Sequence, residues 1–126
     1  MGLDMYAFTV KNAPEDVVDF REPEAEKPEQ LHYWRKHPNL HGWMQKLYEE
    51  KGGADPDFDL APVVLVAEDL DRLEADIKAK QLPATSGFFF GCSDGDEREC
   101  ADDLEFVQKA RAAIAMSLTV YYVAWW

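Results

Sequence analysis

Three histidines, His32, His37 and His41, form the densest group of chemically capable side chains in the sequence. Imidazole groups bind zinc and serve as general bases near neutral pH. A zinc site needs ligands that converge, yet Pro38 breaks the chain between His37 and His41, and no closed set of four ligands can be named. We predict no metal ion, one histidine hydrogen-bonded to a carboxylate or carbonyl group, and the other two exposed.

The same region could instead contribute to a pocket for a small anionic ligand. In this hypothesis Arg35 holds the anion and His41 acts as a general base. Three phenylalanines between Gly87 and Gly91 could line the pocket, since glycine lets the backbone approach closely; the alternative is that they fill two layers of a core. The candidate pocket residues are Asp4, Tyr33, Trp34, Arg35, His41, Trp43, Phe89 and Asp96.

A carboxylate and two arginines are candidates for a buried ion pair. Asp4 would share a strand face with Tyr6, which draws its carboxylate toward an apolar layer where it needs a partner. Arg111 lies in the middle of an apolar stripe of a predicted helix, and Arg35 is the other candidate. We predict a buried Asp4–Arg111 or Asp4–Arg35 pair; the alternative is an arginine that extends its guanidinium group to water.

An acidic stretch matches a calcium-binding loop at four positions, Asp94, Asp96, Asp102 and Glu105. The pattern fails at its centre, where Arg98 replaces an oxygen ligand and Glu99 replaces the glycine that the turn needs. We therefore predict an acidic turn that caps a helix. The spacing of Cys92 and Cys100 fits neither a metal knuckle nor a disulfide framework, so we predict reduced thiols and no cofactor.

Periodicity of apolar residues predicts the elements that must position these groups. Alternating or β-branched runs indicate strands at Leu3–Val10, Val63–Val66 and Leu118–Trp126. Helical spacing indicates helices from the Asn39 cap to Gly52, over Glu68–Lys80 and over Ala101–Met116. We predict an α+β fold: a small, mainly antiparallel sheet that includes the N- and C-terminal strands, packed with about three helices. We expect residues 1–126 to form a single domain with a mobile, acidic, proline-rich loop at 12–29.

Charge and length exclude several classes of protein. The 126 residues contain 13 lysines and arginines against 25 aspartates and glutamates, a net charge of −12. This balance makes nucleic acid an unfavourable ligand. Apolar runs are too short to span a membrane, and the first residues lack the pattern of a signal peptide, so a cytoplasmic protein is expected.

Four segments of the sequence are distinctive: Gly2-Leu3-Asp4-Met5-Tyr6, Tyr33-Trp34-Arg35-Lys36 followed by His41 and Trp43, Leu82-Pro83 with Gly87-Phe88-Phe89-Phe90-Gly91, and Tyr121-Tyr122 with Trp126. Together they resemble a family of short, uncharacterised proteins common in bacteriophage and prophage genomes. The resemblance spans the chain. It implies little about activity, because the role of that family is not established.

The leading hypothesis for function is a non-enzymatic protein-binding or interaction module. Aromatic residues are enriched at protein interfaces, and Tyr121, Tyr122, Trp125 and Trp126 could form such a surface, either for a different protein or for a homodimer. The alternative is that they pack within the fold. One alternative is an enzyme or binding pocket built on Asp4, Arg35, His41 and Asp96. Another is a DNA mimic whose carboxylates occupy a basic nucleic-acid site.

Overall fold

The computed structural model describes residues 3–11, 14, 16–19, 27–35, 37–79, 82 and 97–125. This part of the chain forms four strands and three helices. In chain order they are β1 (Asp4–Val10), β2 (Glu29–Arg35), α1 (Pro38–Glu50), β3 (Val63–Leu65), α2 (Ala67–Lys78), α3 (Glu97–Ala115) and β4 (Thr119–Trp125). The predicted α+β class, with both terminal strands in one antiparallel sheet, is confirmed.

The sheet has the order β2-β1-β4-β3, and each neighbouring pair is antiparallel. The N-terminal strand therefore lies in the interior of the sheet, beside the C-terminal strand. Tyr6 of β1 is opposite Tyr33 of β2 on one side and Val123 of β4 on the other. Because side chains alternate along a strand, each such row lies on one face of the sheet.

The helices pack on one face of the sheet, which we call the helix face. Met5, Trp34 and Tyr122 point to this face and belong to the main apolar core. All buried apolar residues of α1, α2 and α3 belong to the same core. The opposite face carries Tyr6, Phe8, Tyr33, Tyr121 and Trp125, and we call it the aromatic face.

Two helices bury the stripes that the spacing predicts. In α1 these residues are Leu40, Trp43, Met44 and Leu47, and in α2 they are Leu70, Leu73 and Ile77. Burying an aliphatic or aromatic side chain stabilises the fold by roughly 1.5 to 3 kcal/mol relative to exposure. These stripes hold both helices against the sheet.

The third helix differs from its prediction in start and in orientation. It begins at Glu97 rather than Ala101. Helical spacing predicts a buried stripe of Leu104, Val107 and Ile114. Of these only Val107 is fully buried, together with Phe106 and Ala110, whereas Leu104 and Ile114 are partly buried. The buried stripe of α3 is rotated relative to the predicted one, because it includes Asp103 and Ala110 as well as large apolar residues.

Strand β2 was not among the predicted strands. Glu29 was expected at the end of the loop 12–29, and both Glu29 and Gln30 have low strand propensity. The alternation is nevertheless present at His32 and Trp34, which are buried, with exposed Tyr33 between them.

Part of the predicted mobile loop at 12–29 is anchored to the fold. Val18 forms an isolated bridge with Val63, and the amide of Val64 donates to the carbonyl of Val17 at 2.8 Å. The Asp19 carboxylate accepts a 2.5 Å hydrogen bond from Tyr48 and a 3.0 Å bond from the amide of Ala54. Within the described residues, this segment extends the sheet beyond β3.

Several predictions fall outside the described residues, namely those for Phe89, Cys92, Asp94, Asp96 and the run 87–91. In the parts that are described, none of the helices combines the length and apolarity needed to cross a bilayer. A calcium loop over 94–105 is incompatible with α3, which is already helical from Glu97.

Candidate functional site

All three histidines are buried, so the expectation that two are exposed is wrong. They also do not converge: His32 lies on β2, His37 precedes α1, and His41 lies in its first turn. Their short spacing in the sequence had suggested a single cluster. The structure divides them between three different partners.

His37 is paired with Asp103 of α3 inside the core. Its Nε2 atom lies 2.8 Å from Oδ2 of Asp103, and both side chains are at least 96% buried. The other oxygen of Asp103, Oδ1, accepts a hydrogen bond from Nε1 of Trp34 at 3.1 Å. On its other side the imidazole Nδ1 lies 3.7 Å from Glu99. Asp103 therefore links β2 and the start of α1 to α3, and the closed environment suits a structural role.

His32 is paired with the neighbouring aspartate, Asp102, which lies at the surface. Its Nε2 atom is 3.1 Å from Oδ1 of Asp102, and its Nδ1 atom is 3.3 Å from Nζ of Lys109. The imidazole ring packs between Trp34 and Phe106, with ring centroids 4.5 and 5.7 Å away. Its buried ring is thus fixed while one edge faces polar groups.

His41 is the most buried histidine and contacts aromatic rings. Its Nδ1 atom lies 2.8 Å from the hydroxyl of Tyr122, and its ring stacks on Phe58 at a centroid distance of 5.0 Å. Burial lowers the pKa of His41 to about 4, so the imidazole is neutral at physiological pH. Burial also raises the pKa of Tyr122 well above its ordinary value.

Asp4 and Arg35 do meet, but at the surface rather than in a buried pair. Nε of Arg35 lies 3.9 Å from Oδ1 of Asp4, and their side chains are 59% and 29% exposed. The same oxygen accepts a 2.7 Å hydrogen bond from the Tyr33 hydroxyl. This bond raises the pKa of Tyr33. Asp4 therefore needs no buried cation, because water and Tyr33 stabilise it.

Arg111 pairs with two carboxylates of α2 rather than with Asp4. Its guanidinium group donates to Glu74 and Asp71 of α2, at 2.7 Å in each case. The side chain is about one third exposed and bridges α2 to α3. The Asp4–Arg111 hypothesis is wrong for a simple reason: the helix stripe on which it depended is rotated toward α2.

The predicted pocket is not assembled by the described residues. Asp4, Tyr33 and Arg35 lie on the aromatic face, whereas His41 contacts Tyr122 on the helix face. Trp43 is also on the helix side, where its Nε1 atom donates to Asp76 at 2.8 Å. Trp34, likewise on the helix face, is bound to Asp103. Side chains alternate between the two faces along each strand, so the sheet lies between the candidate residues of the aromatic face and those of the helix face.

Three rings on the aromatic face form what we call the aromatic patch: Tyr6, Tyr33 and Trp125. Tyr6 stacks on Trp125 at 4.5 Å and meets Tyr33 at 5.0 Å. Tyr33 and Trp125 are large side chains that are 41% and 39% exposed. The rings touch one another, so they form a platform rather than a cage. Asp4 and Arg35 border it.

Sequence reasoning did not identify Asp102 and Asp103 as the carboxylate partners of His32 and His37. The available signal was Asp103, a carboxylate at a position that belongs to the buried side of α3. An aspartate at such a position needs a donor inside the core. The donors, His37 and Trp34, could not be identified, because they are more than 60 positions away.

Comparisons with known proteins find no match for this chain, whether among family models, curated proteins or solved structures.

Proposed function

We propose that this protein is a non-enzymatic interaction module that binds a partner protein through the aromatic patch. The observation that carries the proposal is the exposure of Tyr33 and Trp125 on the face opposite the helices. Aromatic side chains provide large contact areas at a small cost in conformational entropy, and they dominate the binding energy of many interfaces. Asp4 and Arg35 at the border add polar contacts that fix orientation.

The proposed partner is a basic protein segment. A net charge of −12 disfavours close approach of two copies of this chain and attracts cationic partners. Arginine and lysine side chains also interact with aromatic ring faces, an energy of about 0.5 to 1 kcal/mol at exposed sites. A homodimer through this patch is therefore the less favoured arrangement, and nucleic acid remains an unfavourable ligand. A cytoplasmic location and an origin among phage-type proteins are part of the same proposal.

The contacts of the candidate catalytic groups favour this proposal over an enzyme. His37 and His41 are enclosed by protein, and Arg35, the proposed anion-binding residue, lies on the opposite face of the sheet from His41, the proposed base. A general base must reach its substrate within hydrogen-bonding distance. The DNA-mimic alternative requires carboxylates with phosphate-like spacing along one face. Asp19, Asp69 and Asp103 do not contribute to such an array, because they are engaged in internal hydrogen bonds.

A peptide-display selection tests the proposal without knowing the partner. Random short peptides are selected on the wild-type protein and on a variant that carries Tyr33→Ser and Trp125→Ser. Met116→Ser, which also removes an exposed large apolar side chain, is the matched control. We expect peptides rich in arginine and lysine to be enriched on the wild type and the control, and lost on the double variant.

Enrichment that is equal on all three proteins would contradict the proposal, as would a selection that enriches no peptides. Sedimentation of the wild type at high concentration addresses the homodimer directly. A dimer abolished by the double variant would replace the basic partner with a second copy of this chain.

A further inference from the structure

One imidazole and two carboxylates converge at the junction of β2 and α3. They belong to His32, Asp102 and Glu105, and their ligand atoms lie within 4.8 Å of one another. We propose that these three side chains bind a divalent transition-metal ion such as Zn²⁺, and that Lys109 competes with the metal for the site. This proposal is independent of the aromatic patch, because His32 lies on the helix face.

The geometry is close to that of a metal centre. Zinc binds nitrogen and oxygen ligands at about 2.0 to 2.2 Å, so tetrahedral ligand atoms are separated by about 3.4 Å. Nε2 of His32 and Oδ1 of Asp102 are already 3.1 Å apart. Glu105 lies one helical turn after Asp102 on the same side of α3, and its side chain is 60% exposed. Rotation of that exposed side chain completes the set, and water fills the remaining position.

The histidine is held in place, which lowers the entropic cost of binding. Its ring contacts Trp34 and Phe106, and its side chain is 5% exposed. The carboxylates, by contrast, open to solvent and give a metal ion a route of entry. This combination of one rigid ligand and two adjustable ones permits binding without a change in the backbone.

Lys109 disfavours metal binding through its contacts with two of the ligand residues. Its Nζ atom lies 3.3 Å from Nδ1 of His32 and 3.9 Å from Glu105. A charged ammonium group donates to Nδ1, which leaves the imidazole proton on Nε2, the atom that must bind the metal. Metal binding moves that proton to Nδ1 through solvent, and Lys109 turns toward water. The lysine is therefore an internal cation that a metal ion displaces.

Metal titrations test this proposal on the full chain. Zinc chloride is titrated by calorimetry, and cobalt chloride is titrated by visible absorption, which reports coordination. We expect one ion bound by the wild type. Glu105→Gln should weaken binding by at least about tenfold, and Lys109→Gln should tighten it by about tenfold.

The variants are chosen so that failure to fold does not confuse the result. Glu105 and Lys109 are exposed, so their substitutions should not impair folding. His32 is buried, so His32→Gln alters the core and serves only as an additional test. Lys46→Gln removes the same charge as Lys109→Gln, and Glu68→Gln removes the same charge as Glu105→Gln; both are exposed positions and should leave affinity unchanged.

The proposal fails if neither the wild type nor Lys109→Gln binds metal. It also fails if Glu105→Gln binds as tightly as the wild type, since the ion would then lie elsewhere. Equal tightening by Lys46→Gln and Lys109→Gln would show a general effect of charge and would remove the role of Lys109.

Discussion

The indole of Trp34 and the carboxylate of Asp103, which are 69 positions apart in the sequence, are joined by a 3.1 Å hydrogen bond inside the core. The other oxygen of Asp103 is paired with His37 at 2.8 Å. A single carboxylate thus satisfies donors from β2 and from the residue preceding α1. Asp103, which belongs to α3, thus connects this helix to β2 and to the start of α1.

Replacement of Asp103 by asparagine should destabilise the fold by about 3 kcal/mol. The amide has one acceptor oxygen, so its NH₂ group faces either the indole N–H, where two donors clash, or Nε2 of His37, which then has to give up its proton to accept. Chemical denaturation of wild type and variant measures the loss. Asp102→Asn is the matched control, because Asp102 is 47% exposed, and it should change stability by less than about 1 kcal/mol. Similar losses in both variants would contradict the central role of Asp103.

Stability should fall in acid because of His41. Burial lowers its pKa from an ordinary value of 6.5 to about 4, so the unfolded chain binds more protons than the folded chain between these pH values. The free energy of unfolding therefore rises with pH across this window, and His41 accounts for about 3 kcal/mol of the change. Denaturant unfolding at intervals from pH 4 to pH 7 measures the slope.

His41→Asn isolates this contribution. Asparagine places a polar group near the Tyr122 hydroxyl but does not titrate in this range. Its stability should vary less between pH 4 and pH 6.5 than that of the wild type. An unchanged slope would mean that other groups cause the acid sensitivity.

Local patterns were sufficient to predict most elements of this fold. The stripe that begins at Leu40, the β-branched run at Val63 and the alternation in β1 each report on neighbours a few residues away. The same patterns could not pair His37 with Asp103 or place Arg111 beside Glu74, because those contacts depend on how distant elements pack. Asp4 and Arg35 lie 3.9 Å apart at the surface, so the predicted buried pair is not formed; the strand alternation indicated which residues share a face but not whether that face is covered.

Lys51 should be the most costly lysine to replace among those described. Its Nζ atom donates to the carbonyl of Val64 and to Asp69, at 2.6 Å in each case. The same aspartate accepts the amide of Val66 at the start of α2. Lys51→Met leaves the buried Asp69 without its cation and should cost about 3 kcal/mol, measured by denaturation. Lys46→Met, at an exposed position of α1, should be nearly neutral, and an equal loss there would refute this assignment.

Two adjacent glycines after α1 should respond differently to alanine. A Cβ atom on Gly53 would overlap the ring of Tyr48, which is buried and bonded to Asp19, so the ring cannot move aside cheaply. Gly52 has open space around it but a φ of +94°, so alanine there costs only about 1 kcal/mol of backbone strain. We expect a lower midpoint of thermal unfolding for Gly53→Ala than for Gly52→Ala. The reverse order would show that the loop moves freely around Tyr48.

The position of β1 between β2 and β4 also sets the order of events during synthesis. One edge of β1 can pair with β2 early, since the two strands are close in the sequence. Its other edge must wait for residues 119–125, and β3 waits for the same strand. Contacts of such long sequence separation slow folding, and a half-finished sheet exposes an unpaired apolar strand to other chains. Among the described strands, β1 therefore depends on β4 to protect its second edge.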